Sequence, residues 1–72
     1  MIPYKNLKGN SGVKAYETGP DYIKIKFKEG SAYTYSYASA GRKIIEKMKV
    51  LARKGEGLST YISQTVKDKF EH

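Results

Sequence analysis

Apolar and charged residues alternate along the middle of this chain. Ile23, Ile25 and Phe27 share one face of an extended segment, and lysines fill the positions between and after them. This two-residue period predicts a strand over residues 22–28 with one buried and one solvent-facing side. Thr18-Gly19-Pro20-Asp21 predicts a turn before that strand, because Gly-Pro cannot continue a hydrogen-bonded ladder.

Two shorter segments flank this strand, and residues 13–17 and 32–37 are each predicted as a strand. The turn after residue 27 decides where Tyr33 and Tyr35 lie. A three-residue loop, Lys28-Glu29-Gly30, requires positive φ of glycine alone and places both tyrosines beside the isoleucines. A two-residue type I′ loop places them among the lysines and requires positive φ of a glutamate as well. We favour the first register, in which the tyrosines belong to the core.

Helical spacing replaces this alternation in the second half of the chain. Apolar residues recur every three or four positions over residues 40–54, which predicts an amphipathic helix with Ser39 as its N-cap. Gly55-Glu56-Gly57 is expected to end it. A second helix over about 58–70 is predicted from a similar spacing of Leu58, Tyr61, Ile62, Val66 and Phe70.

The predicted fold is therefore α+β: a small three-stranded antiparallel sheet followed by two helices packed on one face, in the order β-β-β-α-α. Residues 1–12 contain Pro3 and two glycines with little apolar content, and they are predicted to form a loosely ordered lead-in. Residues 13–70 are predicted to form a single domain, since 72 residues allow no more than one.

Positive charge is the most informative feature of the composition. The chain has 14 Lys and Arg against 7 Asp and Glu, a formal net charge of +7. Such a field favours phosphate backbones, anionic surfaces or acidic proteins as partners, and the alternative is that the charge serves solubility alone. Twelve of the 14 cations are lysine, which favours diffuse phosphate attraction over the bidentate base recognition typical of arginine.

Residue types that catalysis and metal binding require are scarce. The chain has no cysteine, its one histidine is the terminal His72, and its carboxylates are scattered. We therefore expect a binding protein and not an enzyme, with no cofactor and no metal. No apolar stretch is long enough for a signal peptide or a membrane span, so the expected location is the cytoplasm, with no membrane partner.

Two basic surfaces are the candidate binding sites. The first is the solvent-facing side of the predicted sheet, with Lys14, Tyr16, Tyr22, Lys24, Lys26 and Lys28. Cations interleaved with exposed aromatic rings suit a nucleic-acid backbone whose bases stack on those rings. The second is the outer side of the first predicted helix, with Arg42, Lys43 and Lys47 as proposed contacts and Lys49, Arg53 and Lys54 nearby. Glu46 is expected to pair within that helix with Arg42 or Lys49. The alternative for both surfaces is a solvated face without a ligand.

A set of motifs occurs along the chain in a characteristic order. The motifs are Val13 to Tyr16, the alternating residues 23–27, Gly30, Tyr33-Thr34-Tyr35, a basic helix, Gly57, Tyr61 and Lys69-Phe70. As an ordered set over about residues 11–70, they resemble the KTSC domain family, a domain found at the C-terminus of some lysyl-tRNA synthetases and also alone. The chain departs from that pattern at Ala38-Ser39, where Val-Pro is frequent, and at Tyr61-Ile62, where Phe-Asn is usual.

The resemblance implies a fold of this kind and favours RNA over DNA as a ligand. Together with the charge, it leads to the hypothesis of a small nucleic-acid-binding module that uses the lysine and tyrosine sheet face and the basic helix. The alternative hypothesis is a non-catalytic protein-interaction module that binds an acidic partner.

Overall fold

One antiparallel sheet and three helices form the fold in a computed structural model that describes residues 1–7, 9 and 11–66, with only the backbone at residue 66. The strands are β1 (Ile2–Pro3), β2 (Val13–Thr18), β3 (Tyr22–Phe27) and β4 (Ala32–Ser36), adjacent in the order β1-β2-β3-β4. The helices are α1 (Tyr37–Ala40), α2 (Arg42–Lys54) and α3 (Leu58–Tyr61), and a π-helical turn (Ile62–Val66) follows. The predicted α+β class, an antiparallel sheet followed by helices, is confirmed. The predicted numbers of three strands and two helices are wrong.

The register between β3 and β4 places Tyr35 in the core and Tyr33, partly buried, against it. Ile23 lies opposite Tyr35 and Ile25 lies opposite Tyr33. The chain reverses through a three-residue loop in which Gly30 has a φ of 108°, and the Phe27 N–H donates to the Ser31 carbonyl at 2.8 Å. This is the predicted glycine-dependent loop. As a result Tyr35 is 2% exposed, and burial raises the pKa of its hydroxyl.

An irregularity in β2 changes which of its residues face the core. The pairing with β3 shifts between Val13 and Ala15, so Lys14 is an extra residue on this strand. Val13 and Tyr16 consequently both point inward, and Tyr16 is 6% exposed and lies opposite Ile25. The prediction of Tyr16 as a solvent-facing ring is wrong, because strict alternation does not continue through the bulge.

The N-terminal segment contributes to the sheet and to the core. Ile2 pairs with Tyr16 and Pro3 with Ala15, and Tyr4 is 7% exposed. The Tyr4 hydroxyl accepts a hydrogen bond from the Leu58 N–H at 3.3 Å. The segment 1–12, predicted as a loose lead-in, therefore contains the strand β1, which is additional to the three predicted strands. It also contributes the side chain of Tyr4 to the core. A two-residue edge strand is too short to produce a periodic pattern.

The helices begin and end at small residues. Ser36 caps α1 in a capping box with Ser39: the Ser36 hydroxyl accepts from the Ser39 N–H at 3.2 Å, and the Ser39 hydroxyl accepts from the Ser36 N–H at 2.9 Å. Ser39 is thus not the N-cap of the long helix, which follows Gly41. That helix ends as predicted at Gly55, whose left-handed φ of 85° lets its N–H bond the Leu51 carbonyl. Of the helix predicted over 58–70, the last four positions lie outside the described residues.

The core lies between the sheet and α2. Ile23 and Ile25 from β3 and Ile45 and Met48 from α2 have no exposed surface, and Leu58 of α3 is equally buried. Because α2 covers one face of the sheet, its own opposite side and the other face of the sheet point away from each other. The two predicted basic surfaces lie on these two opposite sides.

Candidate functional site

The outer side of α2 is an uninterrupted line of exposed residues. It contains Arg42, Lys43, Glu46, Lys47, Val50, Arg53 and Lys54, which we call the α2 stripe. Their spacing of three and four residues places them on one side of a helix, opposite the buried Ile45, Met48 and Ala52. Five of the seven members are cations, and three of those five are the residues predicted as contacts on this helix.

The single carboxylate in the α2 stripe is neutralised by its neighbours. Glu46 accepts a hydrogen bond from the Tyr37 hydroxyl at 2.7 Å and one from the Lys49 ammonium at 3.1 Å. These two bonds hold the pKa of the Glu46 carboxyl below its usual value. The predicted pairing of Glu46 with Lys49 is confirmed. Both bonds reach the Oε2 atom of Glu46, whose side chain stays half exposed, and the five cations of the stripe outnumber this one carboxylate.

Lys49 lies on the inner side of α2, in contrast to its predicted place on the outer side. It is 5% exposed, and its ammonium donates to the Pro20 carbonyl at 3.3 Å as well as to Glu46. Its position four residues after Ile45 places it toward the sheet, and its long aliphatic chain reaches the turn between β2 and β3. Lys49 consequently links α2 to the sheet and is not available to a ligand.

Tyr37 is a residue of this site that the sequence did not indicate. It was predicted to end the third strand, but it is the first residue of α1. The Arg42 guanidinium carbon lies 6.0 Å from the Tyr37 ring centroid and the Lys49 ammonium lies 5.8 Å from it, at the outer limit of cation–π contact. The hydrogen bond to Glu46 raises the pKa of the Tyr37 hydroxyl. Tyr37 thus supports the first turn of the α2 stripe.

The open face of the sheet is less suited to an anion. Lys14 and Lys28 are exposed, and Lys24 and Lys26 are partly exposed, but Glu17 lies directly opposite Lys24. The Tyr22 hydroxyl donates to Glu17 at 2.9 Å, which raises the Tyr22 pKa. A carboxylate thus stands among these lysines.

Aromatic rings for stacking are also scarce on this face. The Tyr22 ring packs tightly over Gly19, where a Cβ atom would come within 1.9 Å of it. Since Tyr16 is buried, Tyr22 is the one predicted stacking ring that reaches this face. The structure therefore brings the four predicted sheet lysines to the surface but does not surround them with free rings.

In the comparisons with known proteins, no protein-family model, curated protein or solved structure matches the chain. The resemblance to the KTSC family accordingly stays a prediction. No helix within residues 1–7, 9 and 11–66 combines the length and apolar character needed to cross a bilayer. The same part of the chain contains no cluster of three or more metal-ligating side chains.

Proposed function

We propose that this chain is a small non-catalytic module that binds nucleic acid by holding its phosphate backbone on the α2 stripe. The observation that carries the proposal is the presence of five exposed cations on one side of a single helix. Their one carboxylate is already paired with Lys49. The resemblance to the KTSC family favours RNA over DNA as the ligand.

The length of the α2 stripe suits a short run of phosphates. Arg42 and Lys54 are twelve residues apart, which corresponds to about 18 Å along a helix. A strand stacked as in a duplex presents a phosphate about every 3.4 Å along its axis, so the stripe spans about five phosphates of a duplex or of a stacked single strand. Five cations therefore face about five charges. Because lysine and arginine side chains contact phosphates without reading bases, binding is expected to tolerate sequence changes.

A charge-matched comparison tests where the ligand binds. The stripe variant carries Arg42→Gln, Lys43→Gln and Arg53→Gln, and the sheet variant carries Lys24→Gln, Lys26→Gln and Lys28→Gln. Each variant loses three positive charges, so the long-range field of the molecule changes equally. Fluorescence anisotropy with single-stranded RNA, tRNA and duplex DNA measures affinity, and circular dichroism checks the fold.

We expect the stripe variant to bind at least about tenfold more weakly and the sheet variant to keep most of the affinity, since contacts to charged groups are worth about 1.5–3 kcal/mol each before screening. Equal losses in both variants would contradict a localised site. A larger loss in the sheet variant would place the ligand on the opposite face.

An acidic protein is the second candidate partner, and Val50 is the observation that favours it. This valine is 51% exposed in the middle of the α2 stripe, where an apolar side chain contributes to a protein interface and not to phosphate binding. If the folded chain binds none of the three nucleic acids at low salt, the phosphate proposal is wrong and the acidic-protein proposal replaces it.

A further inference from the structure

A cleft of about 540 Å³ opens beside the α2 stripe. Its walls come from the N-terminal segment around Tyr4 and Asn6, from the second half of α2, and from α3 with the turn that follows it. Lys47 belongs both to the α2 stripe and to the wall of this cleft. A chain bound along the stripe therefore passes the mouth of the cleft.

The lining of the cleft combines ring, amide and hydroxyl groups. Leu51 and Tyr61 supply apolar and aromatic surface, Asn6 and Gln64 supply amides, and Ser59 supplies a hydroxyl. The volume of the cleft falls in the range of 300–1,000 Å³ that is typical of small-molecule sites, and most of its lining residues are polar. Flat heterocycles suit such a lining, because they stack on aromatic rings and hydrogen-bond at their edges.

Hydrogen bonds from distant parts of the chain hold the walls of the cleft in place. The Leu58 N–H donates to the Tyr4 hydroxyl at 3.3 Å, and the Leu7 N–H donates to the Gly55 carbonyl at 2.8 Å. The Asn6 side-chain oxygen accepts from the Ser11 N–H at 3.1 Å. The N-terminal segment is thereby fixed against the end of α2, and the cleft exists before a ligand binds.

The charges around the cleft give a bound nucleotide a direction. Lys47 is exposed on the side of the α2 stripe, whereas Glu56 stands in the same lining and pairs with Lys54 at 3.4 Å. A phosphate is attracted to Lys47 and repelled by a carboxylate. A base can instead donate a hydrogen bond to that carboxylate from an N–H group on its edge, such as the ring N–H of uracil. A nucleotide thus fits with its phosphate at Lys47 and its base in the interior.

We propose that this cleft takes one unstacked base of a single-stranded nucleic acid whose backbone lies on the α2 stripe. The inference rests on the proposed function and specifies its ligand as single-stranded. A base inside a duplex cannot enter the cleft without first leaving its stack and its partner. Affinity for single strands should therefore contain a contribution from the base that affinity for the backbone alone lacks.

A strand without bases separates these two contributions. The first probe is oligouridylate of about 12 nucleotides, within the range that single-strand-binding domains cover. The second is a strand of equal length that keeps every ribose and phosphate but lacks the bases. Anisotropy titrations compare the wild-type chain with Tyr61→Ala, Tyr61→Phe, Gln64→Ala and the stripe variant. Tyr61→Phe is the matched control, because it keeps the ring. Gln64 is exposed, so its replacement leaves a readout even if Tyr61→Ala fails to fold.

The wild-type chain is expected to bind oligouridylate at least about fivefold more tightly than the abasic strand, the lower limit for one stacked base. Tyr61→Ala and Gln64→Ala should reduce that ratio without weakening binding to the abasic strand, and Tyr61→Phe should preserve it. A ratio of one in the wild-type chain, with both strands weakened by the stripe variant, overturns this inference and leaves the proposed function intact. No binding of either strand by the folded chain overturns both.

Discussion

Glu46 links two side chains, one in α2 and one in the helix before it. It accepts hydrogen bonds from the Tyr37 hydroxyl and the Lys49 ammonium, and Lys49 in turn donates to the Pro20 carbonyl. A single carboxylate on the surface of the helix thus connects α1, α2 and the turn between β2 and β3. It also keeps the buried ammonium of Lys49 paired with an opposite charge, which matters because an unpaired buried charge is costly.

The lowered pKa of Glu46 predicts how stability responds to acid. A carboxyl whose pKa is lower in the folded chain than in the unfolded chain contributes stability that is present above its unfolded value, here 4.5. That stability is lost as the pH falls through the folded pKa. Glu46→Gln removes this contribution. The variant should be less stable than the wild-type chain at neutral pH, and the difference should shrink toward pH 3.

Thermal unfolding followed by circular dichroism at a series of pH values measures that difference. Glu29→Gln is the control, since Glu29 lies in the exposed turn between β3 and β4. A Glu46→Gln deficit that stays constant from neutral pH to pH 3 would argue against the hydrogen-bonded carboxylate.

Helix α2 is the element that joins the core to the proposed site. Two neighbouring isoleucines of α2 differ in how deeply they enter the core. Ile45 has no exposed surface, whereas Ile44 is only half-buried. Truncation of a fully buried isoleucine to alanine costs about 2–5 kcal/mol, a large fraction of the roughly 4–11 kcal/mol expected for a chain of this length. Ile45→Ala should therefore destabilise the fold much more than Ile44→Ala.

Urea unfolding of the two variants checks this order. Both substitutions replace isoleucine by alanine in the first two turns of α2, so the change in helix propensity is the same and cancels in the comparison. Equal losses of unfolding free energy, or a larger loss in Ile44→Ala, would mean that α2 packs on the sheet in a different rotation. The α2 stripe would then no longer face outward as a unit.

Strong periodicity explains which elements could be predicted. The strand β3 follows from its strict two-residue alternation, and the Gly30 loop and the Gly55 helix end follow from glycine at positions that need a positive φ. The bulge at Lys14 could not be predicted, since nothing in a weakly alternating segment marks an extra residue. The strand β1 is two residues long and depends on pairing with β2, which is a tertiary effect.

The candidate site was predictable to a similar degree. The helical period alone places Arg42, Lys43 and Lys47 on the same side of α2, so their grouping could be predicted. Tyr16 and Lys49 were misplaced because their burial depends on a bulge and on the rotation of α2 against the sheet. Tyr37 was missed because its role depends on the capping box that starts α1, directly after β4.

The distribution of charge is the property of the whole molecule that bears on function. The described residues carry eleven Lys and Arg and five Asp and Glu, and nine of these cations lie on two opposite sides of a molecule about 22–30 Å across, four on the sheet and five on α2. On the sheet side Glu17 lies opposite Lys24, whereas on the α2 side Glu46 is paired with Lys49 and Glu56 with Lys54. A run of about five phosphates, about 18 Å long, cannot contact both sides of a molecule that is at least 22 Å across. We therefore expect the ligand to lie on α2.

The salt dependence of binding tests this assignment most directly. Each phosphate that the protein neutralises contributes about 0.7–0.9 to the slope of log affinity against log salt, so contact with about five phosphates gives a slope of about −3.5 to −4.5. The stripe variant, which lacks three of the cations, should flatten this slope by about 2–3, and the charge-matched sheet variant should leave it nearly unchanged. A slope that the stripe variant does not alter, measured with single-stranded RNA on a folded protein, would contradict phosphate binding by α2.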